Sequence, residues 1–148
     1  MLKLLLLLFL ACIANLDVGA TNKIKKAGNE TSIRFIEADW NKALQTAKDA
    51  KKLVFIDIYA TWCGPCRMLK KNTFTDKNVA QFFNDNFINV SIDGEKGVGP
   101  DLLERYQVEA YPTLIIADEN GDPVLYTMGY LDPKTLLEFA KAALKKKM

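Results

Sequence analysis

The stretch Leu53-Val54-Phe55-Ile56-Asp57-Ile58-Tyr59 constrains the fold more than any other part of the chain. A strand with one wet face alternates apolar and polar residues, whereas this run is apolar throughout apart from Asp57, the pattern of a central strand covered on both faces. Covering both faces of such a strand takes helices above and below, with crossover connections between parallel neighbours. The rest of the chain supplies them. Ile33 to Ile36 reads as a short strand, and Asp39 caps a helix with Trp40, Ala43, Leu44 and Ala47 on one side. A helix follows Cys63 to about Lys71. Asp76 caps another carrying Val79, Phe82 and Phe83, and Phe87 to Ile92 forms a second buried strand. Pro100 to Tyr106 suits a short helix and Thr113 to Ala117 a third strand, with Asn120-Gly121 as a tight hairpin turn into Val124 to Thr127. Asp132-Pro133 then opens a last helix with Leu136, Leu137, Ala140 and Leu144 inward. Strands alternating with helices and closing in a hairpin imply an α/β domain: a central mixed β-sheet flanked by helices on both faces.

The N-terminus has another character. Met1-Leu2-Lys3, the apolar run Leu4 to Ile13 and the small residues Val18-Gly19-Ala20 match a secretory signal peptide over residues 1–20, too short in its apolar part for a membrane anchor. Residues 21–32 are polar and Lys-rich, a flexible lead-in to a single domain over 33–148. Phe9-Leu10-Ala11-Cys12 partly resembles a lipobox, so lipid anchoring through Cys12 is the alternative to removal of the leader. The expected location is exported, periplasmic.

Composition narrows the chemistry. The 148 residues carry a net charge of +2, with basic and acidic residues interspersed, which gives no field for gathering nucleic acid. There is no His, so Cys-His or Ser-His catalysis and His-ligated metals are out. Gly94 to Gly99 lacks the Lys-Ser/Thr ending of a phosphate-binding loop, and no cofactor is indicated.

What remains is Trp62-Cys63-Gly64-Pro65-Cys66, where the buried strand ends and a helix begins. A sulfur at a helix N-terminus meets free N–H groups and the positive end of the dipole, which favour the nucleophilic thiolate. A second sulfur one turn later can attack a mixed disulfide formed by the first. Without the leader, the chain offers two Cys and no His, so a zinc site would have to span two molecules or recruit carboxylates. As a staple, so short a disulfide loop constrains the unfolded chain weakly.

With these residues in place, the chain resembles the thioredoxin family over most of residues 33 to 144. Besides Cys63-Gly64-Pro65-Cys66, Asp57 lies six residues before Cys63, where the family carries a buried acid. Tyr111-Pro112-Thr113 stands at the family's cis-proline, Gly129 falls on the substrate-facing loop, and the last helix follows. Thr73-Phe74-Thr75-Asp76 with Val79 looks like the periplasmic thioredoxin-like domain at the C-terminus of membrane thiol:disulfide interchange reductases. One departure is Asn89, which stands where thioredoxins place a Lys beside the buried acid.

The resemblance implies a thioredoxin-like fold and a thiol-disulfide oxidoreductase. Cys63 attacks a substrate disulfide, the less exposed Cys66 resolves the mixed disulfide, and Asp57, if buried rather than solvent-facing, takes the Cys66 proton directly or through a water. Tyr111 and a cis-Pro112 would pair with an extended substrate segment, the alternative being an ordinary loop proline. Trp62 is expected as an apolar platform or else as core, and Gly129 as a point of close substrate approach or a plain turn residue. Gly64 and Pro65 complete the substrate-facing set and bring no side-chain donor to the sulfurs, which favours a reductant. The implied partners are disulfide-containing exported proteins as clients and a membrane thiol:disulfide reductase as electron donor, with the protein itself a monomer. An oxidant or isomerase, and a redox-inert peptide-binding adaptor, are the competing readings.

Overall fold

The structure is a computed structural model that describes residues 31–147. The signal peptide expected over 1–20, Cys12 and most of the expected lead-in therefore lie outside the described residues. Five strands form one sheet in the order β1-β3-β2-β4-β5: β1 (Ile36–Glu37), β2 (Leu53–Tyr59), β3 (Phe87–Asp93), β4 (Thr113–Ala117) and β5 (Pro123–Met128). β1 and β2 run parallel to β3, while β4 is antiparallel to both β2 and β5. The sheet is mixed, as expected.

β2 sits at the centre, and Leu53 through Ile58 are all buried. Its alternation feeds two cores. Val54, Ile56 and Ile58 pack beneath Trp40, Ala43 and Ala47 of α1 (Trp40–Ala50) and Leu102 and Tyr106 of α4 (Gly99–Tyr106). Leu53 and Phe55 point the other way, to Val79 and Phe83 of α3 (Lys77–Asn86) and Leu136, Ala140 and Ala143 of α5 (Pro133–Lys147). Phe55 meets Phe83 at 4.6 Å between ring centroids, and Phe83 stacks on Phe87 at 5.2 Å. Helices thus cover both faces.

The edges depart from expectation. Ile33 does not start β1: its N–H donates to Phe74 O (2.8 Å) and that of Arg34 to Asn84 Oδ1 (2.9 Å), so the chain is tied to the helical layer until Ile36 comes into register with Val90. The helix after Cys63 is not uniform. α2 (Gly64–Met68) passes into a π turn over Leu69–Thr73, closed by Phe74 N–H to Leu69 O at 2.9 Å. The wider turn points both Leu69 and Thr73 inward, where the Thr73 hydroxyl donates to Leu131 O at 2.7 Å.

The β4–β5 connection is a five-residue loop over 118–122 rather than a two-residue turn. The Asp118 carboxylate accepts the Asn120 and Asp122 N–H groups, and the Tyr106 hydroxyl donates to Gly121 O at 2.7 Å. These bonds take up the backbone polar groups of a longer loop and lock it onto α4. In α5, Ala143 is fully buried whereas Leu137 and Leu144 lie only partly covered at its margin.

Candidate active site: a cysteine pair at a strand-to-helix turn

β2 leaves the sheet at Tyr59, and the chain turns tightly, Cys63 N–H donating to Ala60 O at 3.1 Å. Cys63 is the N-cap of α2, its sulfur accepting the Cys66 backbone N–H at 3.1 Å. Pro65 falls in the first turn, where no intrahelical N–H is required. Cys66 comes one turn later, Cα to Cα 5.3 Å from Cys63, and the two form a disulfide. The expected contrast in exposure is absent from this form. Cys63 and Cys66 are each 2% exposed and lie together in one cluster with Ala60, against which Tyr59 and Tyr111 pack.

Asp57 shares the face of β2 that carries Leu53 and Phe55, the face covered by Leu69, α3 and α5. It is 1% exposed, which disposes of a solvent-facing position. The Ser91 hydroxyl donates to Asp57 Oδ2 at 3.0 Å, and Oδ1 has no partner among the described residues. Burial pushes its pKa from 3.8 up to about 6; the positive charge of Lys70 and the Ser91 hydrogen bond pull it down, and Glu37 adds a small upward push. A carboxyl titrating there can exchange protons near neutrality.

Asn89 is not the partner of Asp57. In the β2–β3 register Asn89 stands opposite Phe55, and its amide donates to Arg34 O and Asn84 Oδ1 at 3.3 Å each. Opposite Asp57 is Ser91. Neither Ser91 nor Lys70 was singled out from the sequence. Ser91 lies two residues beyond Asn89 on the same face of β3, but only the register shows which of the two meets the acid.

Around the pair, the Tyr111–Pro112 peptide is cis. The Tyr111 ring meets that of Trp62 edge-on at 5.8 Å. Trp62 is 65% exposed, so it is no core residue, and its indole N–H donates to Glu95 Oε1 at 2.9 Å. Glu95 is another residue that sequence reasoning missed. Gly94 leaves room for Tyr111, since a Cβ there would lie 2.6 Å from the tyrosine oxygen. Gly129 N–H donates to Pro112 O at 2.8 Å, which brings the end of β5 to the proline loop. Nothing lies within 4 Å of where a Gly129 side chain would begin. Gly64 is equally open, its nearest neighbour being Arg67 Nη2 at 4.0 Å, and Pro65 is exposed. Trp62, Tyr111, Pro112 and Gly129 are therefore linked pairwise beside the disulfide, with Gly64 and Pro65 between the cysteines.

A disulfide-forming cysteine pair heading a helix, with a buried acid in the strand behind it, defines a class of proteins that exchange dithiols for disulfides. A family model described as a thioredoxin-like domain matches residues 40–144, and the chain belongs to that family. Among its relatives is the thioredoxin H-type of Fagopyrum esculentum, 38% identical over 84 residues, which are 57% of this chain and 67% of that protein. The thiol:disulfide interchange protein DsbD of Salmonella typhi is 34% identical over 112 residues, 72% of this chain but only 19% of that protein. Of solved structures, that of a candidate disulphide-isomerase from Bacteroides thetaiotaomicron has a TM-score of 0.70 at 39% identity, covering 80% of this chain and 98% of that one. A thioredoxin from Thermus thermophilus shares the fold at 21% identity, with a TM-score of 0.66 and coverage of 78% and 90%. The chain is a thioredoxin-like thiol-disulfide oxidoreductase.

Proposed function

We propose that this oxidoreductase is a reductant: it reduces disulfides of exported proteins through Cys63 and Cys66 and is itself re-reduced by a membrane thiol:disulfide reductase. The observation that carries the direction is chemical. Between the cysteines stand Gly64 and Pro65, which bring no side-chain donor, and among the described residues the Cys63 sulfur takes one hydrogen bond, from the Cys66 backbone. A thiolate with so little extra stabilisation leaves the dithiol a good electron donor. The N-terminal leader and the likeness to the DsbD protein support export and a membrane donor.

In the forward direction, Cys63 thiolate attacks a client disulfide; one client thiolate leaves, and a mixed disulfide forms. Asp57 carboxylate takes the proton of the Cys66 thiol, directly or through a water. Cys66 sulfur then attacks Cys63 sulfur, the mixed disulfide breaks, and the second client thiolate departs. Two electrons have passed to the client, and the protein is left in the disulfide form described above. Trp62, Tyr111, Pro112 and Gly129 receive the client segment, with Gly64 and Pro65 beneath it.

An isomerase is the second reading, favoured by the 39% identity to the Bacteroides protein. Equilibration in graded thiol/disulfide buffers separates the two. We expect a Cys63/Cys66 potential of roughly −270 mV; a value between about −180 and −120 mV would reverse the proposed electron flow.

A further inference from the structure

Asn89 is neutral and faces Phe55, so the charge on Asp57 must be met from elsewhere. Along β2, Asp57 and Tyr59 project from the same face. Over the Tyr59 ring, 3.5 Å from its centroid, stands the ammonium of Lys70, which comes from the π turn after the redox helix. The negative face of the ring holds the cation in place, and the turn itself is anchored by buried Leu69 and Thr73.

We propose that Lys70 is a positioning residue for the resolving step: its ammonium, seated on Tyr59, supplies the positive charge that keeps the Asp57 carboxylate available to take the Cys66 proton. The groups around the acid agree. From β1 comes Glu37, of like charge; from β3 come the Ser91 hydroxyl and, one turn of the pleat further, Asp93, whose charge is paired with Lys96 at 3.2 Å. β4 presents Leu114, in register with Asp57 and uncharged. Among the described residues, Lys70 is the cation whose charge lowers the Asp57 pKa that burial has raised.

The proposal rests on Asp57 being the base, and the experiment separates the two. The full-length protein carrying Cys12→Ser, so that Cys63 and Cys66 are its two thiols, is reduced and mixed with a chromogenic aromatic disulfide at pH 5 to 9. Attack by Cys63 releases one coloured thiolate, and resolution by Cys66 releases the second in a slower phase. Lys70→Met is expected to move the acid limb of the second phase to higher pH while leaving the first phase in place; a rise of about half a unit reads as about a twofold loss at pH 6. Lys70→Arg should keep the wild-type limb. Because Lys70 is exposed, high salt should carry the wild-type limb up toward that of Lys70→Met, while the variant, left with only the like charge of exposed Glu37 to screen, should show no upward shift. If Lys70→Met keeps the wild-type limb, or slows both phases equally, while Asp57→Asn removes the limb, the role of Lys70 is overturned and the base stands. If Asp57→Asn leaves the limb unchanged, both fall.

Discussion

At neutral pH Asp57 holds a charge in the folded protein that it would hold more easily in the unfolded chain, because burial raises its pKa from 3.8 to about 6 and leaves Oδ1 without a partner among the described residues. Between about pH 4 and 6 the folded state keeps a proton that the unfolded state has released. The stability linked to that proton is fully present below pH 4 and is lost as pH rises through 6, a change on the order of 3 kcal/mol. Asp57→Asn should therefore stabilise the protein at pH 7.5 by about 2 kcal/mol, allowing for an amide left partly unpaired, and the gain should vanish below pH 4. Urea unfolding at the two pH values checks this. The same variant should slow the resolving step at pH 7 by about tenfold or more, and an unchanged rate would reject the base role. Asp57 was legible in the sequence because a lone acid in an apolar run stands out. Ser91 and Lys70 were not: a Ser in a strand and a Lys in a helical segment are ordinary residues until the register and the π turn bring them to the acid.

Among the elements, β2 and β4 keep the limits that the sequence indicates, since a strand buried on both faces writes its length in apolar residues. β1 and the redox helix do not. The apolar residues Ile33 and Phe35 mark burial, but Ile33 is buried and Phe35 partly buried near Phe74, with Phe35 also meeting Phe55, and strand pairing is left to Ile36 and Glu37. A π turn leaves no periodic signature over five residues. The Gly94 to Gly99 loop, which joins β3 to α4 beside the site, is more tightly built than its composition suggests. A Cβ on Gly99 would lie 2.1 Å from Asp93 O and 2.7 Å from the Gly94 carbonyl carbon, both backbone atoms. Gly99→Ala must displace the loop or the start of α4. A loss of about 3 kcal/mol is expected in denaturant unfolding, with Gly97→Ala, which meets no atom within 4 Å, as a milder comparison.

For the whole molecule, two apolar cores on opposite faces of one sheet carry the fold, and the disulfide adds little to it. Its loop is so short that loop-closure entropy accounts for about 2 kcal/mol. The double substitution Cys63→Ser with Cys66→Ser should therefore keep the cooperative unfolding and far-UV spectrum of the parent and lose disulfide exchange altogether. Full biological activity in that variant would point to an adaptor instead. By itself the sequence determined the layer architecture, the strand that carries the site, the cysteine pair and the family, because these reside in local patterns: an unbroken apolar run, helical spacing, and four residues at a strand-to-helix turn. The tertiary structure alone decided which face of β2 Asp57 occupies, that Ser91 rather than Asn89 meets it, that Lys70 rests on Tyr59, and that Glu95 holds Trp62. Each of these joins residues distant in the chain or depends on a one-residue choice of register or helical turn, and in a strand one residue is the difference between opposite faces.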